Sequence, residues 1–176
     1  MTTVYYTASS VDGFVADPED SLSWLLSRDV DGAGPMGYDA FFAGVGALCM
    51  GATTYAWVRE HEQTWPFTLP CWVFTHRDLA PPEGADVRLT SADVAQVHAE
   101  MVQAAAGRDV WVVGGGDLAG QLADRGLLDE LRVQYAPVSL GAGAPLLPRR
   151  VELRLEEVDR NRDFACARYT VVRGAS

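Results

Sequence analysis

An apolar run, Val110-Trp111-Val112-Val113, strikes three glycines, Gly114-Gly115-Gly116, and a helix-like segment follows. Glycine leaves the main chain bare for close approach by a ligand, and the first amides of a helix are donors without partners. That combination suits a diphosphate. Gly114-x-Gly116-x-x-Ala119 also satisfies the Gly/Ala form of the dinucleotide-binding fingerprint, which requires a carboxylate about 20 residues on, at the end of the next strand. Tyr135-Ala136-Pro137 supplies none, and Asp129 and Glu130 precede that strand instead of closing it. The fingerprint therefore fails in context, while the physics of the corner stands. A bland alternative is that the glycines only allow tight packing of a strand against a helix. A second corner, Gly51 with Thr53 and Thr54 as helix caps, favours one extended dinucleotide held between the two.

Other chemistries find less support. His61, His76 and His98 lack metal-ligand spacing, and Cys49, Cys71 and Cys166 sit singly in apolar stretches, as buried thiols do in a reducing compartment. No metal is expected. The 14 Lys and Arg against 24 Asp and Glu give a net charge of −10, which disfavours a phosphate-tracking nucleic-acid surface. No apolar stretch reaches the ~20 residues of a membrane span, and the N-terminus does not read as a signal peptide. A soluble, cytoplasmic chain is expected.

The elements that must position the corners follow from patterning. With 176 residues, 48% of them apolar, the chain reads as a single domain over residues 1–176. Thr3 to Ala8 is β-prone and runs into the loop Ser9 to Gly13 before Phe14-Val15-Ala16. Asp17 to Ser21 reads as the start of a helix carrying Leu22, Leu25 and Leu26, and a short helix is expected over Tyr38 to Ala43. Strand Ala47 to Met50 leads through Gly51 into a helix reaching about Glu62, and strands are expected at Cys71 to Thr75 and Val87 to Leu89. A hydroxyl cap at Thr90-Ser91, with Asp93 in the first turn, begins a helix ending before Gly107. Strand Val110 to Val113, the glycines, a helix over Asp117 to Arg125 and strand Leu131 to Val138 follow, and Val151 to Val158 with Phe164 to Val172 close the chain as a hairpin. Alternating strands and helices imply an α/β fold with a mostly parallel sheet and an antiparallel edge.

The ordered blocks Ala8 to Ala16, Met50-Gly51-Ala52-Thr53-Thr54-Tyr55, Val73 to Arg77, Val113 to Gly116, and Asp129 to Val133 leading to Pro137 to Gly141 and Pro145-Leu146-Leu147 resemble the dihydrofolate reductase superfamily. They are most similar to the branch holding the reductase domain of riboflavin-biosynthesis deaminase/reductases. The resemblance implies a dihydrofolate-reductase-like, eight-stranded mixed sheet, NADPH as hydride donor, a pterin-like or pyrimidine-like acceptor and a homodimer. It also implies that Gly51, Ala52, Thr53 and Thr54 meet the cofactor's phosphates, and that Thr75, His76 and Arg77 meet its adenosine end. Gly114, Gly115 and Gly116, with a cis peptide between the first two, would lie with Asp117 and Leu118 along the diphosphate and nicotinamide. Ala8 and the loop Asp12-Gly13-Phe14 would border the nicotinamide as a movable flap.

Two departures bear on function. Ala52 stands where many relatives carry an arginine for the 2′-phosphate, which leaves Arg77 as the cation and NADH as an alternative donor. Ser21 stands where true dihydrofolate reductases carry their acid, with Asp20 beside it, so dihydrofolate is not the expected substrate. Reduction of a C=N or C=O bond needs a proton source. Asp12 is the first candidate, as acid or flap anchor, and equally a turn-former; Asp20 competes with a helix-cap role. Trp24, Tyr38 and Trp57 read as a flat substrate slot or as aromatic core, and Arg132 and Gln134 point either into the pocket or into water. The alternative to a reductase is a non-catalytic nucleotide-binding or structural module of the same fold.

Overall fold

The glycine corners end two neighbouring strands of one sheet in the computed structural model, which describes residues 1–173. The strands are β1 (Thr3–Ser10), β2 (Phe14–Ala16), β3 (Val45–Gly51), β4 (Cys71–Phe74), β5 (Val87–Thr90), β6 (Asp109–Gly114), β7 (Glu130–Ala136), β8 (Ala144–Pro145), β9 (Leu153–Asn161) and β10 (Phe164–Val171). The helices are α1 (Ser23–Leu26), α2 (Tyr38–Ala43), α3 (Ala52–His61), α4 (Val94–Ala105) and α5 (Gly116–Asp124). Eight strands run in the order β5-β4-β3-β6-β1-β7-β10-β9, while β2 and β8 form a separate ribbon. Every pairing from β5 to β7 is parallel, and β10 runs antiparallel to both of its neighbours. This is the mixed, mostly parallel sheet with a terminal hairpin that the sequence implies.

Burial explains the patterning of the strands. Val45 to Met50 of β3 are all buried, so this inner strand reads as a continuous apolar run. Edge strand β9 is exposed along most of its length. On one face Tyr5, Ala47, Cys49, Val110 and Val112 pack against Val97 and Met101 of α4 and Leu118 and Leu122 of α5. On the other, Val4, Tyr6, Leu48, Met50 and Trp111 pack against Phe41 of α2 and Tyr55 of α3. Adjacent strands β3 and β6 thus lead into helices on opposite faces. A crevice opens beyond their carboxyl ends, where open α/β sheets bind ligands. The three cysteines are buried and unpaired, and burial pushes the Cys49 thiol up to about 12. Among the described residues no helix is long and apolar enough to cross a membrane.

Three local expectations are corrected. The helix expected from Asp17 shrinks to the single turn of α1, because Asp17 Oδ1 accepts from the amides of Glu19 and Ser21 at 3.0 and 2.8 Å and closes a turn first. Asp20 then sits at a φ of 58°, exposed, and caps nothing. Thr53 and Thr54 are not caps: α3 begins at Ala52 on Gly51, whose extended backbone ends β3 without a side-chain cap bond. For α4 the cap is Asp93, which accepts from Ala95 N at 2.9 Å, since Thr90 is still the last residue of β5.

Candidate active site

The two corners lie side by side. Met50 pairs with Gly114 across β3 and β6, and a Cβ built on Gly51 would stand 4.0 Å from the amide nitrogen of Gly115. Neither α3 nor α5 carries a side-chain cap; α1 and α2 lack one as well, and among the described residues α4 has one. The first amides of α3 and α5 are therefore without side-chain partners on both walls of the crevice. The glycines differ in what they face. A Cβ on Gly115 would meet nothing within 4 Å, one on Gly114 would lie 3.1 Å from Thr54 Oγ1, and one on Gly116 would strike the carbonyls of Pro145 and Leu146. The peptide between Gly114 and Gly115 is cis, as the resemblance implies.

Beyond Gly51 a cleft of about 640 Å³ runs along the carboxyl ends of β4 and β5, lined by Ala52, Thr75, His76, Arg77, Ser91 and Gln121 among others. Thr75 Oγ1 accepts from Arg77 N at 2.9 Å and so shapes the turn, while His76 and Arg77 are exposed. Asp93, the one carboxylate lining the cleft, is neutralised by Arg125 at 2.7 Å. No carboxylate among the described residues pairs with Arg77. The cleft thus keeps a cation free within a strongly acidic protein. Of the residues assigned to the other corner, Leu118 is buried in the core, and Asp117 holds Arg149 at 2.8 Å and accepts from Gln121, a residue of the cleft lining, at 2.8 Å.

Asp12 is clamped. Its carboxylate accepts from Ser10 Oγ at 2.7 Å, Leu140 N at 3.0 Å, Gly141 N at 2.7 Å and Ser139 Oγ at 3.0 Å. These bonds, led by the Ser10 hydroxyl, hold its pKa well below the usual carboxylate range. The geometry favours the anchor over the proton donor, since such an anion carries no proton near neutrality. The flanking loop is tied as well: Leu146 N donates to Gly13 O at 2.8 Å, and Phe14 and Ala16 pair with Pro145 and Ala144. The loop is thus laced to residues 138–146. The depressed pKa means that the clamp is complete above the unfolded carboxylate value, about 3.9, and weakens only as pH falls below it. A carboxyl carbon NMR titration of Asp12 is expected to show no protonation down to pH ~4; a midpoint near that value would mean that the clamp does not form.

The three aromatics proposed as one slot have separate neighbours. Trp24 is buried with Ala136, Phe164 and Cys166 and donates Nε1 to Ser21 O at 3.0 Å. Trp57 stacks on His61, its ring centroid 4.2 Å away. Tyr38 stacks on Phe42 and meets the edge of Trp111, at the exposed end of an aromatic layer that continues to Phe41 and Tyr6. Gln134 points inward: its Nε2 donates to Tyr6 Oη at 2.7 Å and Met36 O at 3.0 Å, beside Ala8 in the register of β1 and β7. Arg132 pairs with Glu130 at 2.9 Å, lies over Phe41 at 5.4 Å and lines a smaller cavity of about 210 Å³ with Met36, Glu157 and Arg168.

Residues 2–163 match the family described as the RibD C-terminal domain. The chain belongs to that family. It is 30% identical over 159 residues to the uncharacterized protein YwjB of Bacillus subtilis (strain 168), covering 88% of each. It is also 30% identical over 155 residues to riboflavin biosynthesis protein RibD of Corynebacterium ammoniagenes, covering 80% of this chain and 44% of that one. Among solved structures, a protein of Shewanella sp. PV-4 assigned to riboflavin biosynthesis superposes with a TM-score of 0.83 at 24% identity, over 98% of this chain and all of that one. A pyrimidine reductase-like protein of Corynebacterium diphtheriae gives 0.64 at 17% identity over 98% and 92% of the two chains. These two likenesses bear on the fold, the RibD reductase architecture.

Within this RibD-type domain, sequence reasoning did not find Ser10, Ser139 or the amides of Leu140 and Gly141 as the partners of Asp12, nor Ser91 and Gln121 as cleft lining. The turn signals at Asp12-Gly13 and at Gly141 mark both loops, but no local signal says that they meet. Gln121 faces the cleft only because α5 starts at the glycine corner.

Proposed function

We propose that the chain is a nicotinamide-dependent reductase, NADPH preferred, that delivers hydride to a C=N or C=O bond of a small pyrimidine-like or pterin-like heterocycle other than dihydrofolate. The observation that carries this reading is the pair of uncapped, glycine-floored helix starts lying side by side, close enough that a Cβ built on Gly51 would stand 4.0 Å from Gly115 N, with a cleft and a free arginine beyond. The residues fit the cofactor. Gly51 to Thr54 and Gly114 to Gly116 would hold the diphosphate through amides, Thr75 to Arg77 the adenosine end, and Ala8 with Gly13 and Phe14 the nicotinamide side. The cofactor supplies the hydride. The chain orients it, and the clamped loop over residues 12–16 borders the nicotinamide side. Tyr6, Gln134 and Met36 line the acceptor side, and with Asp12 anionic the proton comes from solvent through the open crevice. A homodimer belongs to the same reading.

Titration with NADPH and NADH, following quenching of the five tryptophans, tests the proposal. Arg77→Ala is expected to weaken NADPH about tenfold, as loss of a partly exposed charge-assisted contact does, and to leave NADH within about twofold. Equal weakening would show that Arg77 does not read the 2′-phosphate. Binding of neither nucleotide would end the reductase reading. Because the first candidate acid is held as an anion, tight binding without turnover of pyrimidine or pterin acceptors would establish the non-catalytic nucleotide-binding module instead.

A further inference from the structure

We infer that Asn161, the last residue of β9, just before the turn into β10, is a positioning residue for the acceptor side of the site. Its side chain is 1% exposed and spent on one loop: Nδ2 donates to the carbonyls of Asp31 and Pro35 at 2.8 and 3.1 Å, and Oδ1 accepts from Asp31 N at 2.9 Å. A buried amide with three directional bonds defines its partners' geometry, and losing it leaves buried polar groups unpaired. Around it runs an exposed outer ring, in which Asp163 accepts from Asp29 N at 2.8 Å and Arg162 pairs with Asp29 at 2.8 Å. Exposed pairs of this kind contribute little. The buried amide does the holding.

The clasped loop ends at Met36, whose φ of 51° turns its carbonyl to receive Gln134 Nε2 at 3.0 Å and Tyr6 Oη at 3.4 Å. Gln134 also donates to Tyr6, and Tyr6 stacks on Phe41 at 4.4 Å. A continuous set of contacts therefore runs from the end of β9, through loop 31–36, to the side chains beside Ala8. The nucleotide cleft, at the β4 and β5 end, shares none of these residues. The inference rests on the reductase reading in taking this side as the acceptor's. It predicts that Asn161 governs acceptor binding and not nucleotide binding.

The test compares Asn161→Ala and Gly34→Ala, whose new methyl would press on Asn161 Nδ2 from the loop side at 3.1 Å. Arg162→Ala, in the exposed outer ring, serves as control. With 5-amino-6-(5-phosphoribosylamino)uracil as acceptor, the first two are expected to raise KM about tenfold, with kcat changed less than threefold and the NADPH dissociation constant within about twofold. Arg162→Ala stays within about twofold throughout. Hydrogen exchange of amides 31–37 should quicken in Asn161→Ala while the sheet stays protected. An unchanged KM, or a loss of NADPH binding equal to the loss of acceptor binding, overturns the inference. Should Asn161→Ala fail to fold, Gly34→Ala decides alone. Absence of turnover in the parent protein would fault the reductase reading with this acceptor; the clasp is then judged by exchange, and unchanged exchange overturns it.

Discussion

Gly116→Ala is expected to destabilise the protein by about 3 kcal/mol and to lower its melting temperature by about 10 °C. Gly116 is buried at the first position of α5, and the methyl would enter the backbone carbonyls of Pro145 and Leu146, with the Leu146 carbonyl carbon at 2.8 Å. A flexible side chain could swing away, but a backbone pinned on both sides cannot. Leu146 N is bonded to Gly13 O, and Ala144 and Pro145 pair with β2, so the strain has no local outlet. Relief must come either from lifting residues 144–146 off α5 or from moving α5 on its core of Leu118, Ala119 and Leu122. Both lose packing. A thermal melt checks this, and a variant as stable as the parent would mean that the close approach does not exist in solution.

Gly115→Val is expected to have the opposite profile: little change in melting temperature, and a loss of at least about tenfold in NADPH affinity. The position has an extended φ of −93° and ψ of −176°, which a β-branched residue adopts readily, and a Cβ there meets nothing within 4 Å. The added bulk therefore costs the fold little and fills only the space over the bare main chain. Calorimetric titration of NADPH, run beside the melt, distinguishes the two outcomes. Unimpaired binding by a folded Gly115→Val protein would remove this corner from the cofactor site. A melt as depressed as that of Gly116→Ala would show that Gly115 too serves packing.

These neighbouring glycines show where the sequence stops. The run Gly114-Gly115-Gly116 admits both readings, ligand approach and tight packing, because each requires only the absence of a side chain. The fold divides them: Gly116 packs against the 145–146 segment, and Gly115 faces open space. The same ambiguity governed Asp12. An aspartate before glycine at a strand end is locally an acid, an anchor or a turn-former, and four donors from residues 10 and 139–141 favour the anchor. Asp17, not Asp20, ties the turn before α1, because capture of two amides by its own carboxylate competes with helix initiation on equal local terms.

The sequence by itself determined the alternation of strands and helices, the parallel sheet with its closing hairpin and the two glycine corners at strand ends, since these rest on periodicity and on backbone freedom within a few residues. Resemblance of five ordered blocks carried the family. Only the tertiary structure decided that β3 and β6 are neighbours, so that the corners form one crevice, that Trp24, Tyr38 and Trp57 belong to different clusters, and that Asn161 reaches a loop 130 residues earlier. The physical reason is the range of the interactions. Turns and periods are set by neighbours along the chain, whereas a crevice, a clamp or a clasp is set by which distant segments share a boundary once the two faces of the sheet are buried.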